Sequence, residues 1–112
     1  MSTPQEAFQQ FLDQQRADYQ RALPEKIAQV QMLWQAVDAG GPSAPPLVDL
    51  ERQAHTLAGT AGTLGFREVS VAARALELLL EQASEAGPAL TPTQRPDIVQ
   101  AVAALQASLP PP

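Results

Sequence analysis

Apolar residues recur every three or four positions through most of the chain, the spacing that lines side chains along one face of an α-helix. Ile27, Val30, Gln31, Leu33, Trp34 and Val37 form one such stripe between Pro24 and Ala39, with Glu25 and Lys26 outside it. Leu47, Leu50, Ala54, Leu57, Ala61 and Leu64 form a second, from about residue 46 to 64. Val69, Ala72, Ala73, Leu76, Leu79, Leu80 and Ala83 give a third over roughly 67–86, and Ile98, Val102, Leu105 and Leu109 a fourth. Ahead of them, Ala7, Phe8, Phe11, Leu12 and Tyr19 lie near helical spacing after a Ser2-Thr3-Pro4 start signal. That segment is a first helix or a short helix plus a turn. Pro24 marks either a kink or the first turn of the next helix, and the reading adopted is a boundary close to Leu23.

The breaks between the stripes are as clear as the stripes. Gly40-Gly41-Pro42-Ser43-Ala44-Pro45-Pro46 cannot continue a helix and is read as a loop, with Pro46 suited to the next first turn. Gly65 can take a left-handed cap without penalty, so the helices on either side of it should pair antiparallel. Gly87-Pro88 closes the third helix, and Thr91-Pro92-Thr93-Gln94 opens the last, whose regular part should begin near Pro96. With no alternating strand pattern, the expectation is all-α: an antiparallel four-helix bundle with an additional short N-terminal helix or helix extension. Residues 1–112 make one domain, with 1–3 and the prolines of 110–112 expected to fray. Trp34 sits at core spacing and is read as core.

Against that pattern one stretch stands out. His55, the single histidine, lies roughly 130° from the centre of the second stripe and should face solvent. Gly59 and Gly62 follow one and two turns later, off the core side, although each glycine costs a helix about 0.5–1 kcal/mol relative to alanine. Their bare surface is read as room beside the imidazole for another backbone or a phosphoryl group. The sequence His55-Thr56-Leu57-Ala58-Gly59, a small-residue run and Leu64-Gly65-Phe66 resembles the histidine phosphotransfer (Hpt) family, whose motif is His-x-Leu-Lys-Gly, a small-residue run, then an apolar residue and glycine. The resemblance continues into Ala73-Arg74-Ala75-Leu76-Glu77. It departs at Ala58, where the family often carries lysine.

The resemblance implies a four-helix bundle that takes a phosphoryl group from the aspartate of one receiver domain and passes it to another. His55 would be the phosphorylated residue, through Nε2, and Glu51, Arg52, Ala58, Gly59 and Gly62 would lie on the docking surface. The partners would be receiver domains of response regulators or hybrid sensor kinases. The receiver would bring the aspartate and its magnesium, leaving this chain without a cofactor of its own. Arg52, one turn before His55, is the candidate cation in place of the missing lysine, or else an ordinary solvated charge paired to Glu51 or Asp49.

Composition narrows the chemistry further. A neutral imidazole, with an unperturbed pKa of about 6.5, has a free lone pair near pH 7 and needs no auxiliary base. With one histidine and no cysteine there is no Cys-His pair, no thiol metal site and no His-rich site. No serine has a nucleophile-elbow context. Glu77, Glu81 and Glu85 recur every fourth residue and are read as a solvated face. No glycine-rich phosphate loop is present, so the expectation is a carrier and not a kinase. A net charge of −5 with seven scattered Lys and Arg residues argues against nucleic acid. The absence of a leader or of an apolar run near ~18 residues suggests a cytoplasmic monomer away from the membrane. The competing reading is a phosphorylation-independent bundle that docks to a receiver or sensor kinase to inhibit or scaffold it.

Overall fold

The computed structural model describes residues 3–40, 45–86 and 90–111. They form four helices: α1 (Pro4–Gly40), α2 (Pro45–Thr63), α3 (Arg67–Ala86) and α4 (Gln94–Ala107). Each packs on its neighbour in sequence, and α4 returns to close against α1, so the diagonal pairs stay apart. The result is an antiparallel four-helix bundle whose core is made by the predicted stripes, including Trp34, Leu50, Leu57, Leu76, Leu80 and Leu105.

The first helix corrects the boundary expected at Leu23. It runs unbroken through Pro24 for 37 residues, so the N-terminal segment is a helix extension. Proline costs an interior helix about 3 kcal/mol by removing one hydrogen bond and crowding the preceding turn. Pro24 is solvent-exposed while Leu23, Ile27 and Val30 on the adjoining face are fully buried. Burial of those three side chains, at about 1.5–3 kcal/mol each, outweighs the local penalty and keeps α1 helical through Pro24. A capping box starts the helix: Thr3 Oγ1 accepts from the Glu6 amide at 3.1 Å and Glu6 Oε2 from the Thr3 amide at 3.2 Å, with Pro4 in the first turn.

Only the C-terminal half of α1 belongs to the bundle. Arg16 Nε donates to the Leu64 carbonyl at 2.7 Å and its guanidinium lies 5.4 Å from the Phe66 ring centre, while Tyr19 packs on the same ring. These contacts sit at the α2–α3 turn, which is the end of the bundle. Residues 4–15 project past it, and the long axis of the molecule reaches 60 Å. Phe8 and Phe11, expected to help form a stripe, are 61% and 56% exposed on this projection.

The α2–α3 turn is a Schellman motif. The Phe66 amide donates to the Ala61 carbonyl at 2.8 Å and the Gly65 amide to the Gly62 carbonyl at 3.2 Å, with Gly65 at φ +87°. At the start of α4, Thr91 and Gln94 form a second reciprocal box, Thr91 Oγ1 accepting at 3.1 Å and Gln94 Oε1 at 2.9 Å. Regular helix therefore begins two residues before Pro96. Arg95 holds Asp38 through two bonds of 2.8 and 2.9 Å, tying α4 to the end of α1.

The described terminal residues Thr3, Pro110 and Pro111 lie outside the helices and make contacts of their own. Thr3 is part of a cap, Pro110 is half-buried beside Ala17 and Leu109, and Gln20 Nε2 donates to the Pro111 carbonyl at 3.4 Å. The expectations for residues 1–2, 41–44, 87–89 and 112 fall outside the described residues. Among the described residues no helix is long and apolar enough to cross a membrane.

Candidate functional site

The apolar stripe of α2 turns Leu50, Ala54, Leu57 and Ala61 into the core and leaves His55 on the outside, with 75% of its side chain exposed. One ring nitrogen is nevertheless fixed. His55 Nδ1 lies 2.9 Å from Oε2 of Glu77 on α3, whose own side chain is only 8% exposed. A carboxylate can only accept, so Nδ1 carries the hydrogen and the neutral ring keeps its lone pair on Nε2. The assignment follows from the bonding pattern. Nε2 is the atom farther from the backbone, and it has no hydrogen-bond partner among the described residues.

Glu77 overturns the reading of Glu77, Glu81 and Glu85 as one solvated face. Its signal was present, because position 77 follows Ala73 by four residues and precedes Leu80 by three, which places it on the buried stripe. A carboxylate at core spacing needs a partner, and the partner is His55. Arg74, one turn earlier on α3, brings Nη1 to 4.0 Å from the other oxygen, Oε1.

Glu51 lies one turn before His55 and is half-buried, with Oε1 enclosed and without a hydrogen-bond partner. Burial first, then the charges of Glu81, Glu77 and Glu85, push its carboxyl above the ordinary range. The imidazole is thus flanked by acidic groups on both helices. Among the described residues no group of three or more potential ligands is placed to hold a metal ion.

The other residues expected on the docking surface separate into three kinds. Gly59 is open, since a Cβ built there would meet nothing within 4 Å. Gly62 is exposed yet also a packing position: a Cβ there would come within 3.0 Å of Ser70 Oγ, and that hydroxyl is held by donating to the Ala58 carbonyl at 2.7 Å. Ala58 is the correction. It is 8% exposed, turned into the α2–α3 contact, so its side chain is not part of an open surface. Its expected place on the docking surface left out how closely α3 approaches on that side. Arg52 is exposed and pairs with Asp49 at 3.8 Å, beside Gln29, Met32 and Leu33 of α1. His55 instead turns toward α3.

From His55 a shallow groove of about 490 Å³ follows α2 along Thr56, Gly59, Thr60 and Thr63 to Leu64, where Phe11 and Gln15 of the α1 projection form its far wall. Thr63 Oγ1 donates to the Gly59 carbonyl at 3.0 Å, which satisfies a backbone group at this bare part of the helix. The periodicity of α1 did not reveal this wall, because the expected break at Leu23 left the direction of residues 4–22 open.

No curated protein and no solved structure matches the chain significantly. The family model for the Hpt domain matches residues 5–108, nearly the whole sequence. With four antiparallel helices and an outward-facing histidine in place, the chain belongs to the Hpt domain family, the phosphotransfer modules of two-component signalling that interact with receiver domains.

Proposed function

We propose that this protein is a phosphoryl carrier that accepts a phosphoryl group from a receiver-domain aspartate on Nε2 of His55 and passes it to the aspartate of another receiver. The observation that carries this reading is an exposed imidazole whose Nδ1 is held at 2.9 Å by a buried carboxylate. In the forward step the Nε2 lone pair forms a bond to phosphorus as the P–O bond of the acyl phosphate breaks, and that electron pair leaves on the aspartate carboxylate. No proton has to move. The ring gains positive charge, and Glu77, already hydrogen-bonded to Nδ1–H, stabilises it where it develops. The reverse step restores the neutral ring. The receiver docks over the bare surface at Gly59 and along the groove toward Phe11, and supplies the metal-assisted half of the chemistry.

Incubation with a phosphorylated receiver tests the reading. The wild-type chain should acquire acid-labile, alkali-stable phosphate, and His55→Gln should acquire none while keeping its helical circular dichroism. Labelling of His55→Gln at the wild-type rate would assign the phosphate elsewhere. Tight receiver binding with no transfer in the wild type would favour a phosphorylation-independent binding module.

A further inference from the structure

We infer that Arg74 is the cation this site offers to the transferring phosphoryl group, an inference that rests on the phosphocarrier reading and adds a residue to it. A phosphoryl group brings about −1.5 to −2 charges, by analogy with phosphoserine, into a neighbourhood that already holds Glu77 and Glu51. A cation beside the ring, in addition to the charge on the imidazolium itself, offsets that charge and favours the phosphorylated form. The chain has seven Lys and Arg residues, and six are remote or committed. Arg16 caps the α2–α3 turn, Arg21 pairs with Asp18, Lys26 lies over Tyr19 and Arg95 holds Asp38. Arg67 lies at the start of α3 beside Ser108 and Pro110, on the α4 side. Arg52 is drawn to Asp49 on the α1 side of α2.

Arg74 remains, and the register puts it in the right place. His55 faces Glu77 and Ala58 faces Ser70, so α2 and α3 run antiparallel and Arg74 lies between those two contacts, level with Thr56 and Leu57 and within a turn of His55. Its guanidinium is within 4.0 Å of the carboxylate that holds His55, and 64% of its side chain is exposed, leaving it free to swing outward over the ring. Gly59, one turn after His55, has open space above it and adds no side chain to that approach. A cation here enters from α3, which is how the site dispenses with one at the buried position 58.

Chemical phosphorylation with phosphoramidate tests Arg74 without any receiver. Nε2 attacks phosphorus, the P–N bond of the donor breaks, and ammonia leaves with the electron pair. In Arg74→Ala, phosphohistidine should form or persist about two- to fivefold less well at low salt, the range expected of one exposed charge pair. The 31P titration of the phosphoryl group should move to higher pH, and both differences should fade at 1 M salt, where the screening length is about 3 Å. Arg74→Lys should restore most of the effect and Arg74→Glu deepen the loss. Wild-type labelling with an unchanged lifetime and titration in Arg74→Ala would overturn the role of Arg74 alone. A wild-type chain that takes no phosphate on His55 would overturn the carrier reading and this inference with it.

Discussion

On the proposed reading His55 and Glu77 divide the chemistry between an exposed nucleophile and a buried anchor, and their settings in the chain explain why only one of them was legible in the sequence. The histidine was conspicuous by its position off the stripe and by the glycines after it. Glu77 was hidden inside a repeat of glutamates, two of which, Glu81 and Glu85, are exposed. Removing the anchor should leave the fold and the docking surface intact while slowing the reaction: in Glu77→Ala, phosphoryl transfer to His55 falls about tenfold, the value of one charge-assisted hydrogen bond of about 1.5 kcal/mol, at an unchanged receiver affinity. A matching loss of affinity would give Glu77 a docking role instead.

Glu51 makes a pH prediction. Its carboxyl is raised in the folded state by burial and by its three glutamate neighbours. The folded chain therefore holds that proton more tightly than the unfolded chain, and stability contributed by the protonated form is lost as pH rises from about 4.3 through the raised folded value. Denaturation across that window should show the decline in the wild type and not in Glu51→Gln, which should also be the more stable protein at pH 7. Equal slopes would mean that water reaches Glu51 Oε1. At Ala58, by contrast, the side chain is turned into the contact with α3.

Within α2 the two glycines look alike in sequence and differ in the structure. Gly59→Ala should stabilise the domain by about 0.5–1 kcal/mol, because the new Cβ meets nothing and the unfolded chain loses freedom. Gly62→Ala should gain nothing, because its Cβ displaces Ser70 Oγ from the Ala58 carbonyl, a bond contributing about 0.5–1.5 kcal/mol. Thermal unfolding of the pair decides, and equal stabilisation would show that Ser70 moves aside without cost. Helix limits were readable wherever caps and stripe ended together, as at Gly65 and around Thr91–Gln94. They were misread at Pro24, where the local penalty was visible and the burial that overrides it was not.

The whole molecule is a bundle with a lever. The periodic stripes were sufficient to place all four helices and their antiparallel order, since short connections leave few other ways to bury four apolar faces. They could not tell that residues 4–15 would continue straight past the end of the core, since that depends on how Leu23, Ile27 and Val30 fix the direction of α1. The projection adds little buried apolar surface. Deletion of residues 1–11 should lower the unfolding midpoint by less than about 4 °C, the shift equivalent to roughly 1 kcal/mol for a domain of this size. A larger drop would show that the projection contributes to folding and not only to the groove beside His55.

Because the chain contains a single histidine, one spectrum can report directly on the imidazole. Long-range 1H–15N correlation of the histidine ring, recorded before and after phosphorylation by a phospho-receiver, reads both nitrogens at once. Before transfer it should show the neutral ring protonated at Nδ1, and afterwards phosphorus coupled to Nε2 with Nδ1–H retained on Glu77. A free ring protonated at Nε2, phosphorus on Nδ1, or a labelled protein whose imidazole is unchanged would each contradict the assignment of His55 Nε2 as the phosphoryl acceptor.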